Sequence, residues 1–219
     1  MDEGDARRMS ELSPAEVAQF FFDRPTEPEF NWNELDEQRL WVVGDVRRYL
    51  ETLTMFFESF VQLAEPYEFR QVEKGVRGLS AGNLFSLGWA IEQSRVQHLE
   101  LLPKLLEAMK PMFLEYLANA KFEEEHGFFM WWDYMGDHFY LGGWDREGAI
   151  ADTHLEVLSE ILASNDDYCQ VCALHGLGHL EHPRREEVVD GFIERLKANG
   201  ELDEWDPDWI QECRDGTVL

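Results

Sequence analysis

Apolar residues recur at three- and four-residue steps along most of this chain, which is the spacing of one face of an α-helix. The longest such run predicts a helix that ends before Pro66, with these inward positions: Leu40, Val43, Val46, Leu50, Leu53, Phe57, Phe60 and Leu63. No segment shows the sustained alternation of apolar and polar residues that marks a half-buried strand. The pattern therefore predicts an all-α protein.

Capping and breaking residues mark where the predicted helices begin and end. Ser13-Pro14-Ala15-Glu16 has the form of a capping box with proline at the first helical position, and it predicts a helix through Phe22. Asp206-Pro207 opens a last helix and Gly216 closes it. Residues 24–33 are predicted to be a loop. Further helices are predicted over 67–79, 83–93, 96–117 (kinked or divided at Pro103 and Pro111), 122–140 and 147–162.

Residues 168–193 predict a helical hairpin around which the rest of the chain is arranged. Pro183 disfavours helical geometry at His182, so the first helix is expected to stop near Glu181 and the second to start near residues 184–186. Gly176 and Gly178 lie inside the first helix, where each glycine costs about 1 kcal/mol relative to alanine. We expect them to allow the close approach of a neighbouring helix. Both helices are expected to be amphipathic, and one such hairpin must stack on others.

The hairpin, with its sequence ALHGLGHL at 173–180 followed by a proline turn, resembles HEAT-like helical repeats. Together with the preceding Met130-Trp131-Trp132-Asp133 stretch, it is similar to a group of uncharacterised bacterial proteins with HEAT-like repeats, over roughly residues 128–196. The resemblance implies an α-solenoid of stacked antiparallel helix pairs, degenerate in sequence, whose usual role is to bind another macromolecule. It implies no catalytic residues. Residues 1–12 are polar and are expected to be disordered, and residues 13–219 are expected to form a single domain.

The net charge of −26, from 45 acidic and 19 basic residues, is extreme for 219 residues. Such a field repels phosphate backbones and anionic lipid surfaces, so nucleic-acid and membrane binding are not expected. A protein partner with a basic surface is the natural complement. The alternative is that the acidity only keeps the protein soluble.

The cysteine content and the termini indicate the compartment. Three cysteines are too few for a disulfide framework, which favours a reducing environment. The N-terminal residues MDEGDARRMS lack the apolar core of a signal peptide, and no apolar run is long enough to span a bilayer. These observations predict a soluble, cytoplasmic protein.

A cluster of cysteine and histidine spans residues 169–182: Cys169-x2-Cys172-x2-His175-x3-His179-x2-His182. Its spacings resemble those of zinc ligands, and the metal candidates are Cys172, His175 and His179. Against a complete site, Cys169 and His179 are about 15 Å apart along one helix. A single straight helix therefore contributes at most a pair of ligands, such as His175 with His179. The favoured interpretation is that these side chains fill the space between repeats, with the imidazoles hydrogen-bonded to neighbouring carbonyls.

Two further segments are candidates for binding a partner. Residues 128–144 are rich in aromatic side chains interleaved with acidic ones, and most of the aromatic residues are expected in the core. Residues 201–208 form an acidic run with Trp205 in it and Trp209 directly after it. The candidate partner-binding residues are Trp131, Asp133, Asp137, His138, Trp144, Trp205 and Trp209.

The sequence is most consistent with a non-enzymatic acidic helical-repeat protein that binds a basic protein partner, such as an immunity protein that neutralises a bacterial toxin. It predicts no catalytic residue and no cofactor. The alternative is a metal-dependent enzyme or metal-binding regulator that uses the cluster of residues 169–182, joined by acidic or histidine side chains of the aromatic segment. A scaffold subunit that buries the aromatic segment against a sister chain is a third hypothesis.

Overall fold

A computed structural model of the chain describes residues 7–26, 41–80, 86–94, 97–120, 127–132 and 148–218. Within these ranges the secondary structure is almost entirely helical, which confirms the prediction of an all-α protein. The exceptions are β1 (Arg7–Arg8) and β2 (Trp41–Val42), two strands of two residues each that pair in parallel. The chain forms two compact units, Met1–Phe128 (unit 1) and Phe129–Leu219 (unit 2).

Unit 1 contains six described α-helices. They are α1 (Pro14–Phe22), α2 (Val46–Glu58), α3 (Phe60–Ala64), α4 (Phe69–Ser80), α5 (Leu87–Ser94) and α6 (Leu102–Ala108). A π-helix, Met112–Tyr116, and three 3-10 turns, Met9–Glu11, Leu99–Leu101 and Leu117–Asn119, complete the helical segments described in this unit. Its described core is rich in aromatic side chains with no exposed surface: Phe21, Phe22, Tyr49, Phe56, Phe57, Phe60, Phe113 and Phe128.

The start of α1 confirms the predicted capping box. The Ser13 side chain accepts a hydrogen bond from the Glu16 backbone N–H, and the Ser13 backbone N–H donates to the Glu16 carboxylate at 2.8 Å. Of the segment 1–12 that the sequence predicts to be disordered, the described residues 7–12 contain β1 and the first 3-10 turn. Met9 is fully buried there, and the Ser10 hydroxyl accepts from the backbone N–H of Asp45 at 3.0 Å.

The predicted long helix over 40–63 is shorter and divided. Gly44 adopts a left-handed conformation (φ 78°), and Asp45 then caps α2 by accepting from the Arg48 backbone N–H at 2.9 Å. Val43 therefore precedes the helix, and Ser59 separates α2 from α3. The apolar spacing still identified buried positions, because Leu50, Leu53, Phe57 and Phe60 are all fully buried.

The remaining predicted helices of unit 1 are present with shifted boundaries. The helix predicted over 67–79 corresponds to α4, and the one over 83–93 corresponds to α5. The segment 96–117 is divided rather than kinked, with Pro103 in the first turn of α6 and Pro111 directly before the π-helix. Most of the helix predicted over 122–140 lies outside the described residues, and the described residues 127–130 form turns.

Unit 2 has four described α-helices: α7 (Ala149–Leu162), α8 (Asp167–His179), α9 (Arg185–Asn199) and α10 (Pro207–Asp215), with a 3-10 turn at Leu202–Glu204. The predicted hairpin is confirmed as α8 and α9. The predicted last helix is confirmed as α10, which Asp206 caps and which Gly216 ends at φ 72°. In unit 2, α8 contacts both α7 and α10, and α9 contacts α10. An arrangement of these pairs as a solenoid of HEAT-like repeats stays a prediction.

Helix α8 differs from the expectation in one respect, because it is buried all round rather than amphipathic. From Cys169 to Gly178 only Val171 retains partial exposure. The two glycines make this enclosure possible. A Cβ added to Gly176 would lie 2.8 Å from Leu158 of α7 and 2.8 Å from Trp132, and one added to Gly178 would collide with Val218. The predicted close approach at both glycines is therefore confirmed.

Candidate functional site

The imidazole of His175 lies in the interior of unit 2 in a fixed orientation. It is fully buried, and its Nδ1 lies 3.0 Å from the backbone carbonyl oxygen of Phe129. A carbonyl oxygen only accepts, so Nδ1 must carry the proton. The ring also stacks on the Phe129 ring, with the centroids 4.1 Å apart and the planes 8° apart. In the neutral form, the Nε2 lone pair of His175 is then directed at its next neighbour.

That neighbour is His179, one turn later on α8. The two Nε2 atoms are 3.2 Å apart, and the rings meet edge to face at 82°. Because Nδ1 of His175 holds its proton, the Nε2–H of a neutral His179 donates to His175 Nε2. The two histidines and the Phe129 carbonyl therefore form one hydrogen-bonded chain. His179 is the half-buried member and borders solvent.

His182, the third histidine of the cluster, lies in the turn between α8 and α9 and has a different role. The backbone N–H of Arg184 donates to its Nδ1 at 3.0 Å, and its Nε2–H donates to Asp152 of α7 at 3.1 Å. Its ring thus fixes the turn and ties it to α7. Both ring nitrogens serve this structural purpose.

Cys169, Cys172 and Cys213 are buried and form no disulfide. Burial, with smaller contributions from the nearby Asp166 carboxylate, raises the pKa of Cys169 and of Cys172. Burial also raises the pKa of Cys213 to about 12. A thiolate, which is the form that binds metals and attacks electrophiles, is therefore disfavoured at all three positions. These cysteines have the character of small core residues.

Among the sequence-predicted metal candidates, the structure brings His175 and His179 together. Within the described ranges, no group of three or more histidine, cysteine or acidic side chains is arranged to hold a metal ion, so Cys172 does not complete a site with the two imidazoles. The signal for the pair was its spacing of four residues. The Phe129 carbonyl that orients it has no sequence signature.

The aromatic segment is described only at its beginning. Trp131 and Trp132 are both fully buried, so Trp131 belongs to the core and presents no exposed surface to a partner. Trp132 lies against His154, with ring centroids 4.9 Å apart. The other predicted partner-binding residues of this segment lie outside the described residues: Asp133, Asp137, His138 and Trp144.

The second predicted partner-binding segment lies at the surface of unit 2. We call it the acidic tryptophan surface, and it consists of these residues: Glu201, Asp203, Glu204, Trp205, Asp206, Asp208, Trp209 and Glu212. Its six carboxylate residues are all exposed, and no lysine or arginine occurs between Lys197 and Arg214. The two indoles are half-buried.

Packing contacts hold the two indoles in place. Trp205 meets Phe192 of α9 edge to face, with ring centroids 5.1 Å apart. The ring centroids of Trp209 and Phe129 are 6.4 Å apart. Each indole is thus anchored on one side and open to solvent on the other, among carboxylates. This is the arrangement of an aromatic anchor with an acidic rim.

An apolar cleft of about 210 Å³ lies between α7 and α9, and Phe192 connects it to Trp205. Its lining residues are Ser159, Leu162, Ala163, Val188, Gly191, Phe192 and Arg195. The Arg195 guanidinium lies over the Phe192 ring at 5.0 Å and donates to the Leu162 carbonyl, which completes one wall. No sequence pattern indicated this cleft, because it depends on how α7 and α9 meet.

Arg214 bounds the acidic tryptophan surface at its end. Its guanidinium donates to both oxygens of Asp190, at 2.7 and 3.1 Å, and lies 3.3 Å from Glu186. The hydrogen bond from Arg214 lowers the pKa of Asp190. The positive charge of Arg214 is therefore engaged by α9 carboxylates, and the acidic tryptophan surface keeps its negative field.

Comparison with protein-family models, with curated proteins and with solved structures finds no match for this chain. The described helices include none that combines the length and the apolar composition needed to cross a membrane. What the described residues establish is a class, an all-α protein of two compact units.

Proposed function

We propose that this protein is a non-enzymatic, acidic helical-repeat protein that binds a protein partner with a basic surface. One observation carries the proposal: two anchored, half-exposed tryptophans lie among six exposed carboxylates in a segment that has no cation. Interface hot spots are enriched in tryptophan, and a charged rim selects a partner of opposite sign. An inhibitor that neutralises a basic toxin is the form of this function that the small size and high charge favour.

The charge of unit 2 supports a basic partner. Residues 129–219 contain 21 acidic and 6 basic residues, a net charge of −15. Such a field raises the association rate of a cationic protein and repels anionic ones. Arginine is the best-matched partner side chain, because it pairs with carboxylates and also stacks on indole rings.

The cleft beside Trp205 supports a protein rather than a small cation as the ligand. Charge alone attracts any cation. The apolar cleft next to Trp205 additionally favours the burial of an apolar side chain of the partner. A basic protein with an apolar side chain near its arginines uses both features.

The experiment measures binding to the product of the neighbouring gene by surface plasmon resonance at 50 and 300 mM NaCl. We expect tight binding that weakens at the higher salt concentration, mainly through a slower association rate. The absence of binding at both salt concentrations contradicts the proposal.

Two matched double variants locate the interface. Asp203→Asn/Glu204→Gln removes two charges from the acidic tryptophan surface, and Glu65→Gln/Glu68→Gln removes two exposed charges from unit 1. The first is expected to slow association several-fold and the second to have little effect. Equal effects would mean that the net charge acts alone, without a defined surface. Trp205→Ala, checked for folding by thermal melting, is expected to accelerate dissociation.

A further inference from the structure

We propose that His175 and His179 form a two-histidine binding site for a divalent transition-metal ion, with Cu²⁺, Ni²⁺ and Zn²⁺ as the cations it accepts. The proposal does not depend on the partner-binding function. It starts from the distance of 3.2 Å between the two Nε2 atoms. Two nitrogen ligands with bonds of about 2.0–2.1 Å are about 3.3–3.4 Å apart at a tetrahedral angle and about 2.9 Å apart at a right angle. The observed separation lies between these limits, so the two nitrogen atoms can keep their spacing while the imidazoles reorient to direct both lone pairs at the ion.

The orientation of His175 is the second observation. A histidine that binds a metal through one ring nitrogen almost always donates its other N–H to a carboxylate, a carbonyl or a water. His175 Nδ1–H makes this contact with the Phe129 carbonyl at 3.0 Å, and stacking on Phe129 fixes the plane of the ring. Nε2 of His175 is therefore the ring nitrogen without a proton, whether or not an ion is bound.

Metal binding at this pair has a simple proton balance. In the metal-free form, Nε2–H of His179 donates to His175 Nε2. The incoming cation displaces the proton on His179 Nε2, and this proton is released to solvent. His179 Nδ1 takes up a proton from solvent in exchange. Both rings stay neutral and both Nε2 lone pairs bind the ion. His179 is half-buried at the solvent border, so the ion and the exchanging proton have access.

The donor set defines the class of cation. Imidazole nitrogen suits Cu²⁺, Ni²⁺ and Zn²⁺, whereas Mg²⁺ and Ca²⁺ prefer oxygen. The two histidines supply two ligands, and the other coordination positions are open to water or to a further ligand. We therefore expect an exchangeable ion whose affinity follows the order Cu²⁺ above Ni²⁺ and Zn²⁺. The high negative charge of the chain raises the local concentration of cations.

The test uses the full chain without an affinity tag, first treated with a chelator and then titrated with CuCl2, NiCl2 and ZnCl2 in a calorimeter. His179→Gln is the decisive variant, because its side chain is half-exposed and its loss does not open the core. It is expected to weaken binding of each ion by about tenfold or more. His182→Gln is the matched control in the same unit, and it is expected to keep the affinity, since His182 bonds to Asp152 and Arg184.

Nitrogen-15 NMR of the histidine rings provides a second measurement that does not depend on the variant folding. The metal-free protein is expected to show His175 protonated at Nδ1 and His179 at Nε2. Added Zn²⁺ should move the His179 proton to Nδ1 and leave His175 unchanged. Binding that His179→Gln leaves intact, or no binding of any of the three ions at micromolar concentration, would show that the pair is only hydrogen-bonded and would overturn the proposal.

Discussion

At the scale of single residues, His154 shows how far burial alone can move a protonation equilibrium. It lies in α7 with 1% of its surface exposed, against the ring of Trp132. Burial disfavours the charged imidazolium and lowers the pKa of His154 to about 3. The ring is therefore neutral in the folded protein at neutral pH. Sequence alone did not single out His154, because its position on α7 resembles any other inward position.

This shift predicts that unit 2 loses stability in mild acid. Between pH 6.5, where the unfolded histidine titrates, and pH 3, the unfolded state binds a proton that the folded state excludes, so stability falls as the pH falls. The resulting loss in the free energy of unfolding that is due to His154 reaches about 2 kcal/mol at pH 5. His154→Gln is expected to remove it, which narrows the difference between guanidinium unfolding free energies at pH 7 and pH 5.

Leu155→Ala is the control for this measurement. It destabilises the same helix by opening a cavity but removes no titrating group, so its cost should be equal at the two pH values. A His154→Gln protein with the wild-type dependence on pH would contradict the assignment of the titration to this ring.

At the scale of elements, the helix boundaries that depend on local chemistry were predictable. The Ser13–Glu16 capping box and the Asp206-Pro207 start of α10 act within one turn of the chain, and both are confirmed. The apolar period predicted too early a start for α2, because the period reflects burial and Val43 is buried. It does not reflect the left-handed turn at Gly44, after which the helix begins. Capping by Asp45 was the missed signal.

The enclosure of α8 was the part that local pattern could not predict. Its leucine face and its histidine face are both covered. Phe129 covers His175, and Trp132 and α10 approach the interior glycines, and all of these are distant in sequence from α8. Only the two interior glycines indicated the close approach. For the candidate site, the spacing of His175 and His179 was predictable, whereas the Phe129 carbonyl that orients the pair was not.

The close approach at Gly176 predicts opposite effects for two Gly→Ala substitutions in unit 2. Gly176→Ala is expected to destabilise the protein by up to about 2 kcal/mol, because the strain of about 1–3 kcal/mol from contact with Leu158 and Trp132 exceeds the gain of about 1 kcal/mol in helix propensity. Gly191→Ala, inside α9 with no atom within 4 Å of the added Cβ, should instead stabilise by about 0.5–1 kcal/mol. Denaturant unfolding measures both. Stabilisation by Gly176→Ala would contradict the packing of α8.

At the scale of the whole molecule, the main feature is the net negative charge. Unit 1 carries 24 acidic and 13 basic residues, and unit 2 carries 21 and 6, so both units are negative and the excess is greater in unit 2. The described ion pairs lie mostly at exposed positions, where each contributes little to stability. Repulsion between like charges is thus a cost that folding must overcome.

This repulsion predicts that moderate salt stabilises the fold. Between 10 and 150 mM NaCl the screening length falls from about 30 Å to about 8 Å, which suppresses repulsion across the molecule while leaving hydrophobic burial almost unchanged. The midpoint of thermal unfolding is expected to rise over this range, and equally with KCl. A midpoint that stays constant or falls would show that the ion pairs outweigh the net charge.

All three cysteines of the 219-residue chain belong to unit 2, and all are buried as protonated thiols. An alkylating reagent therefore finds no target while this half of the molecule stays closed, and unit 1 contributes no background. The rate at which alkylation increases the mass of the protein would therefore report the opening of unit 2 alone. The native cysteines are thus a built-in kinetic probe of local unfolding in unit 2, and no engineered label is needed.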